Sequence, residues 1–136
     1  MSGQEESRYL AVKVVMMPRD TNPYGTIFGG VLLSYIDQAG AVGARHEIQR
    51  RGFLPQTIVT VAMDRVEFHE PVFVGDTVSF WTTVERIGTT SITVHVTVEA
   101  ERDGAIQLLT QAHVTYVAVR MEDNRRAPVP IAVRAN

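Results

Sequence analysis

Asp37 places the heaviest demand on its surroundings. On a helix its neighbours three and four positions away are Leu33, Ser34, Gly40 and Ala41, which are apolar or small. Desolvation in such company raises the pKa and basicity of a carboxyl, which suits a general base or a nucleophile. A solvent-facing helical Asp, or one satisfied by a backbone donor, fits the same residue types. Asn22, inside Asp20-Thr-Asn-Pro23, is either a turn former or an amide that orients water or a carbonyl. Gly29 and Gly30 follow near a helix start, where bare N–H groups favour a developing oxyanion, although close packing would also explain them. Thr60 lies in a strand-forming run, and its hydroxyl can bind water. The turn Gly88-Thr89-Thr90-Ser91 offers N–H and O–H groups of the kind that bind phosphate.

Distance constrains how these groups combine. Asn22 and Asp37 lie fifteen positions apart, about ten of them helical, which is roughly 15 Å of helix. Within one chain they can scarcely meet over one reacting atom. If both serve one site, Asn22 comes from one subunit and Asp37 from another, and a dimer with antiparallel helices is expected.

Other chemistries find less support. The chain of 136 residues has no cysteine, which excludes thiol catalysis, thiolate metal sites and disulfides. His46, His69, His95 and His113 lack ligand-like spacing, so no metal is expected. No Gly-x-Ser-x-Gly elbow and no phosphate-loop Lys-Ser/Thr pair occur. Arg45, Arg50 and Arg51 complement a helix C-terminus. A net charge of −2 argues against general nucleic-acid binding. The N-terminus is polar and acidic, and Ile27 to Val42 is interrupted by Ser34, Asp37 and Gln38, so a cytoplasmic protein without a membrane span is expected.

The elements that must position these residues follow from periodicity. Tyr9 to Met17 reads as a strand with Leu10, Val12, Val14 and Met16 on one face. Thr26 to about Gln49 reads as one long enclosed helix, with Phe28, Leu32, Ile36 and Ala39 as its stripe, widened by Val31, Tyr35 and Val42. Strands are expected over Thr57 to Phe68, Thr77 to Arg86, Ser91 to Ala100 and Ala105 to Arg120, joined by short antiparallel connections. Residues 1–8 and 122–136 read as tails around one domain over 9–121. The pattern is α+β: a curved antiparallel sheet wrapped around one long central helix, the hotdog arrangement. A lone sheet of this kind leaves open edges, which pairing of two chains would cover.

Taken in order, several segments resemble the hotdog-fold acyl-CoA thioesterases of the cytosolic acyl-CoA hydrolase type. They are Met17 to Gly30, Ile36 to Ala41, Ala44-Arg-His46, Val59-Thr-Val61, Val66 to Pro71, Val74-Gly-Asp76, Gly88 to Ser91 and Arg125 to Pro130. The resemblance implies hydrolysis of an acyl-CoA thioester to a carboxylic acid and coenzyme A, without metal or redox cofactor. It implies Asp37 as the carboxylate that activates water or attacks the carbonyl, Asn22 from the partner subunit, Thr60 as an assisting hydroxyl, and Gly29 and Gly30 as amides polarising the carbonyl. It further implies coenzyme A contacts at Gly88, Thr89, Thr90 and Ser91, and homodimers assembled as trimers of dimers. Many relatives carry His where Phe28 stands, so no His role transfers, and the segment Glu47 to Gln56 is longer than usual. A non-catalytic acyl-CoA sensor or carrier is the alternative, but it needs no Asp37–Asn22 pair. A dehydratase would need a better-placed His than His69-Glu70-Pro71 supplies.

Overall fold

Alternation in the strands decides where the core lies. The computed structural model describes residues 8–134. Strand β4 (Ser91–Arg102) buries Ile92, Val94, Val96, Val98 and Ala100 and turns Thr93, His95 and Thr97 to the other face. Its neighbours β3 (Thr77–Ile87) and β5 (Ala105–Glu122) answer with Val78, Phe80 and Thr82, and with Ala112, Val114, Tyr116 and Ala118. Strands β1 (Tyr9–Val15) and β2 (Thr57–Phe68) flank them, giving the antiparallel order β1-β3-β4-β5-β2. The β4–β5 turn places Asp103 and Gly104 at φ 53° and 78°, as a two-residue hairpin requires.

Helix α1 (Gly29–Arg50) crosses the buried face of this sheet. It begins later than the periodicity suggests. Thr26 bridges Phe73, and the buried Ile27 donates its N–H to the Val72 carbonyl at 2.8 Å, so pairing with the 72–73 loop outcompetes another helical turn. The buried face is Leu32, Ile36, Ala39, Gly40, Gly43, Ala44 and Ile48. Each buried Ile or Leu there stabilises the fold by about 1.5–3 kcal/mol. Phe28 and Val42, expected in the stripe, are instead exposed, and so are Ser34, Gln38, Arg45 and Gln49, so a single chain encloses only one side of the helix. Gly40 and Gly43 are the closest approach: a Cβ at either would lie 2.2 Å from the Tyr116 or Thr82 hydroxyl oxygen.

The helix ends in a Schellman turn. Gly52 at φ 78° gives its N–H to the Gln49 carbonyl, and Phe53 gives its N–H to that of Ile48. The long 47–56 segment then meets the end of the chain: Phe53 bridges Arg134, and Leu54 N–H bonds the Val133 carbonyl.

Two expectations fail here. A register shift between Leu10 and Val12 turns Leu10 outward and lets Tyr9 stack on His46 at 3.8 Å. The segment read as a C-terminal tail also packs on the sheet over its described part. Asp123 and Asn124, both at positive φ, turn the chain into β6 (Arg125–Pro128), which pairs with the end of β5. Beyond it Ile131 is fully buried, an anchor that a run of prolines and arginines conceals in the sequence. Residues 1–7 and 135–136 of the expected tails lie outside the described residues.

The β2–β3 loop is tied to the end of β4 by Arg102. Its Nη2 donates to the Pro71 carbonyl at 2.8 Å and to Asp76 Oδ2 at 2.6 Å, while Asp76 also accepts the Phe73 N–H. Burial pushes the Asp76 carboxyl up, but the Arg102 and Phe73 hydrogen bonds and the Arg102 charge outweigh it and hold it below the usual 3.8. A depressed pKa stabilises the fold above the unfolded value and is lost as pH falls through the folded one. Asp76→Asn is therefore expected to lower the melting temperature at pH 7, with the gap to the parent closing at pH values below 3.8. A gap that persisted unchanged in acid would show that the carboxylate charge is not what holds this loop to β4.

Candidate active site

Asp37 sits on the third turn of α1, partly exposed, above the strands β2 and β5. Thr60 Oγ1 donates to its Oδ1 at 2.7 Å. In the β2–β5 ladder Thr60 pairs with Tyr116, whose hydroxyl donates to the Asp37 backbone carbonyl at 2.6 Å. Burial, then the Asp37 charge and the hydrogen bond to Asp37, push the Tyr116 phenol far above its ordinary value, against the opposing effects of Arg45 and the Ala41 N–H. The phenol thus remains a protonated donor at any working pH.

Asn22 lies in a different half of the molecule's chemistry. Its Oδ1 accepts the N–H groups of Tyr24 and Thr26 at 2.9 and 3.1 Å, and its Nδ2 donates to Thr26 Oγ1 at 2.7 Å. Both carbonyl lone pairs are spent on the loop, and one amide N–H is left to donate. The turn-forming reading of Asn22 therefore holds, and any chemical role is that of a donor. The loop folds back on the helix start, where Phe28 N–H bonds the Asp20 carbonyl. Among the described residues, the Gly29 and Gly30 N–H groups have no backbone acceptor, as the first turn of a helix leaves them. Beside them a cleft of about 430 Å³ is walled by Ile27, Leu32, Phe68 and Val72, with the Phe68 ring 3.4 Å from the place a Gly29 Cβ would occupy.

Asp37 and the Gly29–Gly30 amides are separated by about two turns, roughly 12 Å of helix. One chain therefore holds these groups in separate places: Asp37 with Thr60 and Tyr116 on one side, and the Asn22 loop before the helix start at Gly29 and Gly30 on the other. The structure does not join Asn22 to Asp37 within the chain.

The Gly88–Ser91 turn is braced from behind. Gly88 N–H bonds the Ser91 carbonyl, and the Thr89 and Thr90 carbonyls accept from Ile131 and Ala118. The carbonyls of Thr89, Thr90 and Ser91 are thereby occupied, and the hydroxyls of these three residues make no hydrogen bond among the described residues, which leaves a donor-rich rim. Ile92, next after the turn, pairs with Tyr116, so the rim begins about two strand spacings, roughly 10 Å, from Thr60.

His46, His95 and His113 lie away from Asp37 and the cleft beside Gly29 in contacts of their own, whereas His69 lines that cleft. His95 stacks on His113 at 4.6 Å, His113 pairs with Glu85, and His69 bonds Gln111. Among the described residues no group of three or more His, Asp or Glu is arranged to hold a metal. No described helix is long and apolar enough to cross a membrane. Tyr116 is the residue that sequence reasoning missed. Its signal was a phenol on the inward face of β5 between Val114 and Ala118, where a buried hydroxyl must find a partner.

Comparison with known proteins bears on this geometry. The architecture is the hotdog fold: a hexameric hotdog fold thioesterase of Campylobacter jejuni superposes with a TM-score of 0.74 at 45% identity, over 88% of this chain and 89% of that one. A family model for the thioesterase superfamily matches residues 24–107, and the chain belongs to that superfamily. The acyl-CoA thioester hydrolase YciA of Escherichia coli is 36% identical over 123 residues, covering 87% of this chain and 89% of the relative. An acyl-CoA hydrolase of Staphylococcus aureus, solved with butyryl coenzyme A and coenzyme A, aligns with a TM-score of 0.75 at 27% identity, over 93% and 74% of the two chains.

Proposed function

We propose that this chain hydrolyses acyl-CoA thioesters to a carboxylic acid and coenzyme A, with Asp37 as general base, in a site assembled from two copies. The observation that carries the reading is the hydrogen bond from Thr60 to Asp37 Oδ1 on a partly exposed helix turn, in a chain belonging to a superfamily of thioesterases. Thr60 occupies one carboxylate oxygen, and the other takes a proton from water. The resulting hydroxide attacks the thioester carbonyl carbon, and the carbon–sulfur bond breaks as the coenzyme A thiolate leaves and regains a proton. The Gly29 and Gly30 amides and the remaining Asn22 N–H, supplied by a second copy, stabilise the oxyanion. The apolar side of the cleft beside Gly29, formed by Ile27, Leu32, Phe68 and Val72, offers the acyl chain a wall, and the Gly88–Ser91 rim receives a polar part of coenzyme A. No cofactor is needed for this chemistry.

A homodimer with antiparallel helices supplies the missing half-site, and the open edge of β2, with Val61 exposed, is the natural seam. The C. jejuni neighbour is hexameric, which supports dimers grouped in threes. Two inactive variants test the composite site directly. Asn22→Ala and Asp37→Ala chains, unfolded together and refolded as a mixture, are expected to regain turnover, because mixed dimers hold one intact site out of two. A mixture as inactive as its components would place Asn22 and Asp37 in the same half. A screen of acyl-CoA chain lengths by released thiol identifies the preferred ester, and tight ester binding without thiol release at any length would favour a sensor or carrier instead.

A further inference from the structure

Tyr116 makes a contact that the hydrolysis scheme does not use. Its hydroxyl is buried and reaches the backbone carbonyl of Asp37 at 2.6 Å. That carbonyl lies inside the helix, where its regular partner is the N–H of Ala41 four residues on. The helix therefore does not need the phenol to satisfy an orphan acceptor. The hydroxyl instead enters the hydrogen-bonded turn that carries the carboxylate.

Two further facts make this placement specific. Thr60, which grips the Asp37 side chain, is the ladder partner of Tyr116, so two adjacent residues on neighbouring strands hold the same residue by its carboxylate and by its backbone. Room for the phenol exists only because residue 40 is glycine: a Cβ there would lie 2.2 Å from the hydroxyl oxygen and 3.1 Å from the ring carbon that bears it. We infer that Tyr116, seated by Gly40, is a positioning residue for hydrolysis, fixing the height and rotation of the Asp37 turn over β2 so that the carboxylate meets Thr60 in register. This rests on Asp37 being the reacting carboxylate, as proposed above.

The geometry separates this role from simple core filling. Tyr116→Phe keeps the ring and removes one oxygen, so the core stays packed while the turn loses its tether. Misplacement of a catalytic group by a fraction of an ångström to 1 Å costs about ten- to a hundredfold in rate. Turnover of the preferred acyl-CoA ester by Tyr116→Phe is therefore expected to show kcat reduced by about ten- to a hundredfold and KM within about twofold of the parent. The loss should be less than additive with Thr60→Val, because the two hydroxyls hold one carboxylate. A kcat within about twofold of the parent overturns the proposal, and so does a KM rising in step with the loss of kcat or strict additivity with Thr60→Val. Asp37→Ala is measured alongside. Retained turnover there removes the carboxylate reading itself, whereas an inactive Asp37→Ala beside an unaffected Tyr116→Phe removes only the role given to Tyr116.

Discussion

Asp37→Ala is expected to lower kcat for acyl-CoA hydrolysis by about 10²–10⁴-fold while the chain stays folded. The activity should fall steeply because nothing nearby replaces the carboxylate. The chain has no cysteine, and the Thr60 hydroxyl has no histidine beside it to activate it. The fold should survive because Asp37 is partly exposed and its side-chain tie among the described residues is to Thr60, itself exposed and able to bond water instead. Released thiol measured across acyl-CoA esters, together with thermal melting, checks both halves. Turnover within about tenfold of the parent would remove Asp37 from the chemistry, since general bases contribute more than that. A single turnover in ¹⁸O-water adds detail: label found in Asp37 would reveal an acyl–Asp37 anhydride opened by water at the Asp37 carboxyl carbon, since direct attack of water on the thioester puts the label only in the released acid.

Gly43→Ala is expected to be the most damaging small substitution in the helix. On an open helix, Ala would gain up to about 1 kcal/mol over Gly. Here the new Cβ would lie 2.2 Å from Thr82 Oγ1, 2.6 Å from Thr82 Cβ and 2.9 Å from Cγ2. The β-carbon of Thr82 cannot rotate away, because it is fixed to the β3 backbone, so the helix must lift from the sheet. Overpacking of this kind costs about 1–3 kcal/mol, enough to lower the melting temperature by several degrees. Gly30→Ala is the control: nothing lies within 4 Å of its Cβ, so it should melt no lower than the parent. If the two variants melted alike, the close contact at Thr82 would not be what requires glycine at 43.

Much of the architecture is legible in the residues. Ser91 to Ala100 alternates so regularly that its inward set, Ile92, Val94, Val96 and Val98, is buried as expected, with Ala100 continuing it. The limits of β2 were also readable, because Val, Ile and Thr crowd between Gln56 and His69. The helix was readable as an element but not as a start point. Thr26 and Ile27 have no local feature that forbids helix, and only their pairing with Phe73 and Val72 removes them from it. Leu10 misled for a related reason: a register shift inverts the face of every residue before it, and no periodicity argument anticipates a bulge.

Residue type alone excluded thiol chemistry, since cysteine is absent, turned attention to carboxylate, amide and backbone donors, and set Asp37 apart on an apolar and glycine-containing helix. It also set the expectation that Asn22, in the loop before the helix, and Asp37, on it, scarcely meet within one chain, because helical rise is fixed at about 1.5 Å per residue. Only the tertiary structure decided which side chains meet Asp37. Thr60 is separated from it by 23 positions and Tyr116 by 79, and neither separation carries any local signal. Strand register brings those two together, and the missing Cβ of Gly40 lets the helix settle onto them. Such contacts are set by packing between elements, which depends on the shapes of both partners and cannot be read from either stretch of chain by itself.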